Sequence, residues 1–262
     1  GEARAAISPS GQLAYAGGTP LWRLGLVDVQ GRERLLAPEA KAYGFPRYSP
    51  DGRYVAVTVV TPRSMDVWNI DVASGTSMKL TSEGFNDRPE WTADGKRILY
   101  RRRVETPVFR YELWWQPWDG SGSAVRLQDP GRLNGAQEGV VSPDGRTLAY
   151  RLQDSGRQEL WYRPLVGDTT PRPMPQPRSL LYSPRFSPDG RWLAYASNRS
   201  GVNQVYVRPF PAEGASHVIS TGAGDTPVWS RDGRRLYYVA NGRINVATIS
   251  AAPEFTVTAR AQ

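Results

Sequence analysis

The chain of 262 residues holds 26 Gly, 22 Pro and 9 Trp but no Cys, which favours many short strands over helices and excludes disulfide frameworks and thiolate metal sites. Its formal charge of +8, from 33 basic and 25 acidic residues, is carried by arginines scattered along the sequence with no reader motif, so no nucleic-acid role is expected. No apolar run reaches membrane-span length, and the longest, Tyr54 to Val60, reads as a strand. The chain starts with Gly1 and not Met, and is read as a mature or excised portion of something longer.

In chain order, degenerate copies of one stretch begin at Ile7, Tyr48, Trp91, Val141, Phe186 and Trp229, the clearest being Phe186-Ser-Pro-Asp-Gly-Arg-Trp-Leu-Ala-Tyr195. Their glycines, Gly11, Gly52, Gly95, Gly145, Gly190 and Gly233, fall 41 to 50 residues apart, the period of propeller blades. The expected fold is therefore all-β: a single domain, 1–262, forming a six-bladed β-propeller of four-stranded antiparallel blades around a central channel, with blades near 1–36, 44–80, 87–127, 138–174, 183–219 and 226–258. In each blade an inner strand ends at Ser-Pro, where Pro stops pairing, and Asp-Gly turns the chain into the second strand.

Blade one is expected to have strands at Leu13 to Ala16, Leu24 to Val29 and Arg34 to Leu36; blade two at Pro46 to Ser49, Tyr54 to Val60, Asp66 to Asp71 and Met78 to Leu80. Blade three follows with Arg97 to Arg103 and Tyr111 to Trp118, where Trp114 and Trp118 share one face and Trp115 takes the other. Blade four has Val140 to Ser142, Thr147 to Leu152, Glu159 to Pro164 and a weak outer strand near Pro171 to Met174. Blade five has Pro184 to Ser187, Trp192 to Ser197, Gln204 to Pro209 and Ser216 to Ile219; blade six closes with Arg235 to Ala240, Arg243 to Ile249 and Phe255 to Thr258.

These Ser-Pro-Asp-Gly-Arg-x-Leu-Ala-Tyr units resemble the WD40-like (PD40) repeats of TolB-type propellers along essentially the whole chain. Leu113-Trp-Trp-Gln-Pro-Trp-Asp-Gly120 and Val205-Tyr-Val-Arg-Pro-Phe-Pro211 are further similar to the C-terminal propellers of bacterial eukaryotic-like serine/threonine kinases. The resemblance implies a non-catalytic sensor or protein-interaction module outside the cytoplasmic membrane, tethered through an upstream span. A free-standing periplasmic scaffold of the TolB kind is the alternative, and a propeller hydrolase or lactonase the third reading. The chain itself has no kinase motifs.

The residues offer no catalytic set, and neither a metal nor a cofactor is expected. His217 is the only histidine and reads as packing. Asp51, Asp94, Asp144, Asp189 and Asp232, each followed by its glycine (Gly52, Gly95, Gly145, Gly190, Gly233), read as turn formers and not metal ligands. Ser10 in place of Asp, and the missing Pro at Ala93 and Arg231, put the geometry of those turns in question. Asn198-Arg199-Ser200 is a formal glycosylation sequon that is better read as a loop former.

Function is expected at the opposite end of the channel from these turns. Aligned positions just before the inner strands are Arg4, Phe45, Arg88, Glu138, Ser183 and Thr226. Phe45, Asp87, Arg88, Arg103, Glu138, Tyr182 and Asp225 are the candidate contacts at this mouth, mixing aromatic rings with arginines as binding hot spots do. The partner is a protein or peptide, or a small polar ligand, bound by a monomeric domain that does not itself cross a membrane.

Overall fold

The computed structural model describes residues 5–8, 12–17, 21–28, 30–105, 109–127, 135–154, 157–174, 179–212, 214–251 and 254–262. Regular structure among them is β-strand, and the pairings are antiparallel save one parallel bridge from Met65 to Phe85. The chain forms two compact units that meet in sequence at Gly139 and Val140.

In the first unit β1 (Ala5–Ile7), β2 (Leu13–Gly17), β3 (Trp22–Val27) and β4 (Glu33–Tyr48) pair in order, and β4 goes on to pair β5 (Tyr54–Val60), followed by β6 (Met65–Asp71) and β7 (Ser77–Lys79). Next come β8 (Phe85–Trp91), β9 (Arg97–Val104), β10 (Arg110–Pro117) and β11 (Val125–Arg126), paired successively. Three four-stranded sheets complete the chain. They are β12 (Ala136–Val141), β13 (Thr147–Asp154), β14 (Arg157–Pro164) and β15 (Arg172–Met174); β16 (Leu181–Phe186), β17 (Trp192–Ser197), β18 (Gln204–Pro209) and β19 (His217–Val218); and β20 (Asp225–Trp229), β21 (Arg235–Ala240), β22 (Arg243–Ser250) and β23 (Thr256–Ala261).

The largest departure from the sequence reading lies between the first two repeats. Residues 37–43, expected as a connector between blades, belong to the 16-residue β4. Its first half pairs β3 (Leu26↔Arg34, Leu24↔Ala37) and its second half pairs β5 (Ala42↔Val60, Gly44↔Thr58). The ladder to β3 skips between Ala37 and Lys41, around Pro38, which has no amide proton to give. β23 also outruns its expected end at Thr258, reaching Ala261.

The repeated turns share one hydrogen-bond pattern. Ser187 Oγ donates to Asp189 Oδ1 at 2.6 Å and accepts from the Trp192 amide at 3.0 Å, while the Arg191 amide donates to Asp189 Oδ1 at 3.1 Å. Equivalent bonds join Ser49 to Asp51, Thr92 to Asp94, Ser142 to Asp144 and Ser230 to Asp232. The turns that lack Pro, at Ala93 and Arg231, therefore keep the same geometry; Ser10 and Gly11 lie outside the described residues. The glycine that closes each turn sits at φ of 68° to 76°, a conformation other residues resist. The turns also touch in sequence: the Pro50, Pro143 and Pro188 rings lie against Gly95, Gly190 and Gly233, 3.6 to 3.7 Å from where a Cβ would be.

Behind each turn the second strand supplies the core, with Val55, Ile98, Leu148, Leu193 and Leu236 fully or almost fully buried. Tyr100, Tyr150 and Tyr195 are buried at one further equivalent place. Inner strands are tied sideways by indole hydrogen bonds, Trp91 Nε1 to the Arg47 carbonyl (3.1 Å) and Trp229 Nε1 to the Arg185 carbonyl (3.2 Å). Trp118 packs on Tyr54 with centroids 4.5 Å apart, and Trp114 joins the same cluster, while Trp115 carries Arg97 over its ring at 4.6 Å.

The turn carboxylates are held below the usual range near 3.9. At Asp144 and Asp232 the hydroxyl hydrogen bond is the main cause; at Asp51, Asp94 and Asp189 burial pulls upward and is outweighed by the hydroxyl and amide bonds. Groups with depressed folded-state values stabilise the fold fully above about pH 4 and lose that contribution as the pH falls through those values. Thermal unfolding followed by circular dichroism should therefore give a Tm flat from neutral pH to about pH 5 and falling steeply below pH 4. Asp189→Asn should flatten that fall, and an unaltered profile in the variant would count against the assignment.

Candidate functional site

In four of the inner strands the end away from the turn carries a bulge that the sequence reading did not contain. In β4, Gly44 faces Thr58 and Arg47 faces Ala56, so three steps on one strand match two on the other. The same extra residue occurs in β8 (Asp87↔Arg101, Glu90↔Leu99), β16 (Tyr182↔Ala196, Arg185↔Ala194) and β20 (Asp225↔Val239, Val228↔Tyr237). At each bulge one residue with a side chain adopts the left-handed region: Phe45 (φ 52°), Arg88 (55°), Ser183 (51°) and Thr226 (53°). Each precedes a proline, Pro46, Pro89, Pro184 or Pro227. Glu138, the aligned residue in β12, is followed by Gly139 and is not left-handed. The sequence signal was the proline itself, since proline inside a strand is confined to edges and bulges.

In the first unit the structure brings three of the seven candidates, Phe45, Arg88 and Glu138, into contact, while Asp87 and Arg103 take other partners. The Arg88 guanidinium lies over the Phe45 ring at 4.3 Å and reaches Glu138 at 3.7 Å, so aligned positions of three successive repeats form one row. Asp87, one residue earlier, receives Nε and Nη2 of Arg101 at 2.7 and 2.5 Å. Arg101 also donates to Gln137 Oε1 and covers the Tyr111 ring at 4.1 Å. Burial works against the charge of Arg101, but the bonds and charge of Asp87 outweigh it, and its pKa is raised. Asp87 is thus committed to an internal ion pair and is not an open ligand group. Arg103, on the same face of β9, lies 3.8 Å over Phe85 and pairs with the exposed Glu105 at 2.7 Å. Phe85, Tyr111 and Gln137 were not singled out from sequence; their roles follow from a register that only the bulge sets.

Below this row Arg47 bonds Glu90 at 2.9 Å and the Pro46 carbonyl at 2.8 Å. In the second unit Arg185 caps the Pro184 carbonyl in the same way at 2.6 Å. There Tyr182 lies under the buried Arg151, 5.4 Å from ring to guanidinium, and Asp225 Oδ1 accepts the Thr226 amide at 2.6 Å. Ser183 and Thr226 are buried. Arg4 lies outside the described residues.

His217 packs edge-on to Trp192 and against Phe255. Among the described residues no group of three or more His, Asp or Glu is placed to hold a metal ion, and no helix is long and apolar enough to cross a membrane. Packed guanidinium–aromatic stacks flanked by carboxylates suit recognition of a polypeptide surface.

Comparison with known proteins bears on the fold. Residues 131–257 match the family model described as the TolB beta propeller domain, PD40. The Tol-Pal system protein TolB of Francisella tularensis subsp. mediasiatica is 30% identical over 87 residues, which make up 32% of this chain and 20% of that protein. The crystal structure of TolB from Acinetobacter baumannii superposes with a TM-score of 0.76 at 20% identity, covering 94% of this chain and 62% of that one. A puromycin hydrolase superposes with a TM-score of 0.67 at 18% identity over 98% of this chain, which corresponds to 46% of the hydrolase. The fold is that of TolB-like propellers, and the chain spans about a fifth of the length of the TolB relative it matches in sequence.

The Asp87–Arg101 pair is buried, with side chains 7% and 11% exposed, so removing one member strands the other. Asp87→Ala should destabilise the protein by about 3 kcal/mol. Asp87→Ala combined with Arg101→Met should recover at least half of that loss. Urea denaturation of both variants is the check, and additive losses would show that the pair is not a coupled unit.

Proposed function

We propose that this chain is a non-catalytic, six-bladed propeller of the TolB kind that acts outside the cytoplasm as a protein-binding scaffold, its partner docking at the end of the inner strands opposite the Ser-Pro-Asp-Gly turns. The observation that carries the reading is the Phe45–Arg88–Glu138 row, three aligned repeat positions that pool an aromatic ring, a guanidinium and a carboxylate on a fold of TolB type. The likeness to TolB proteins in sequence and in fold supports the TolB-type scaffold reading.

A second reading has support from the puromycin hydrolase likeness: the same propeller would serve as the substrate-admitting domain of a peptidase whose catalytic residues lie on another domain. In either case the chain contributes binding and not bond cleavage.

The relative's name points to a partner from a Tol-Pal system. Isothermal titration of the chain with a purified Pal protein should give micromolar or tighter binding. Arg88→Ala and Arg103→Ala should each weaken it at least fivefold, about 1 kcal/mol, and Arg103→Ala, whose partner Glu105 is exposed, should do so with Tm little changed. Absence of binding by the unmodified chain, or wild-type affinity in both variants, would sink the proposal.

A further inference from the structure

Arg101 and Arg103 share one face of β9, yet they are partnered differently. Arg101 stands opposite Asp87 and Arg103 opposite Phe85, so the inner strand offers the first a carboxylate and the second a ring. Both guanidinium groups are stacked, Arg101 on Tyr111 at 4.1 Å and Arg103 on Phe85 at 3.8 Å, which restricts the orientations each can take. On Arg101 the edge formed by Nε and Nη2 is filled side-on by both oxygens of Asp87. On Arg103 the same edge is half filled. Its Nη2 meets Glu105 Oε1 at 2.7 Å, while its Nε is sealed from solvent and has no hydrogen-bond acceptor among the described residues.

A sealed N–H without an acceptor costs stability, and a carboxylate held by Nε and Nη2 together is the arrangement that removes the cost. Glu105 does not supply it. It follows the last residue of β9 and its side chain is 60% exposed, against 31% for Arg103, and a single bond from so exposed a carboxylate is readily exchanged. We propose that the Nε–Nη2 edge of Arg103 is a carboxylate-binding subsite and that Glu105 is its resident placeholder, which leaves when an external carboxylate binds in the way Asp87 binds Arg101. Phe85 keeps the guanidinium in place during that exchange. All of these residues lie in the first unit. The subsite stands on the geometry of Arg103; that the incoming carboxylate is an acidic side chain of a partner rests on the protein-binding reading above.

Heteronuclear NMR of the arginine Nε–Hε groups reads this edge directly, with Arg103→Lys identifying the Arg103 signal by its loss. Sodium acetate is the probe, and sodium chloride at equal ionic strength the control. Acetate should shift the Arg103 signal saturably where chloride does not. Glu105→Gln, which removes the placeholder's charge at an exposed position, should lower the acetate concentration at half-saturation about threefold. A signal that answers acetate no more than chloride in both proteins would overturn the subsite, and equal half-saturation in the two would overturn the placeholder role. In titrations with the Pal protein, Glu105→Gln should bind about threefold more tightly than the unmodified chain; equal or weaker binding would overturn the acidic side chain as the occupant. If the unmodified chain does not bind Pal, the protein-binding reading falls, while the acetate titration still decides the subsite.

Discussion

A hydroxyl that gives its proton to a carboxylate two residues on, and takes one from an amide five residues on, is the interaction from which this structure is built. It fixes the angle at which each inner strand hands over to the second strand. The glycine between them then has to be left-handed, and the proline beside the hydroxyl is left free to lie against the glycine of the next turn. Local geometry and lateral packing thus come from the same four residues. Where Thr replaces Ser and Ala replaces Pro, at Thr92 and Ala93, the hydroxyl bond survives and so does the turn. The hydroxyl and the carboxylate are the requirement, and the proline adds contact between neighbours.

The opposite ends of the same strands obey a different constraint. A single extra residue enters each of four inner strands, and the chain accommodates it by placing Phe, Arg, Ser or Thr where glycine would sit more easily. The result is a break in the in-and-out alternation of the strand, so that consecutive residues such as Asp87 and Arg88 serve different purposes. One is buried in an ion pair with Arg101, and the other lies along a row that crosses from one repeat to the next. Regular turns at one end and irregular, strained backbone at the other is the division expected when a scaffold separates what holds it together from what it presents.

The period, the turns and most strand positions were legible in the sequence because each depends on residues close together: Ser, Asp and Gly within four positions, then an apolar run. The pairings at the candidate face were not. Counting back from the turn without an extra residue sets Arg88 opposite Arg101 and Asp87 opposite Arg102, whereas the bulge shifts Asp87 onto Arg101 and Asn86 onto Arg102. A one-residue slip exchanges the faces of everything beyond it, so Asp87 looked like an open ligand group when it is an internal partner. The alignment of Phe45, Arg88 and Glu138 needs only the repeat, and in the structure the three lie in contact along one row. β4 was missed for a related reason: Pro38 reads as a strand breaker, yet the structure carries it in a stretch where the ladder merely skips.

That long strand changes what the first two repeats are. At two later junctions, residues 80–84 and 219–224, the chain passes to the next inner strand through residues outside any strand, and a chain joined that way accepts extra length between modules at little entropic penalty. Between the first pair the backbone runs as one piece from Glu33 to Tyr48, bonded to β3 at one end and β5 at the other. An inserted segment there would uncouple both ladders at once, so evolution or engineering can graft new material at the later junctions but has to treat the first two repeats as one indivisible block.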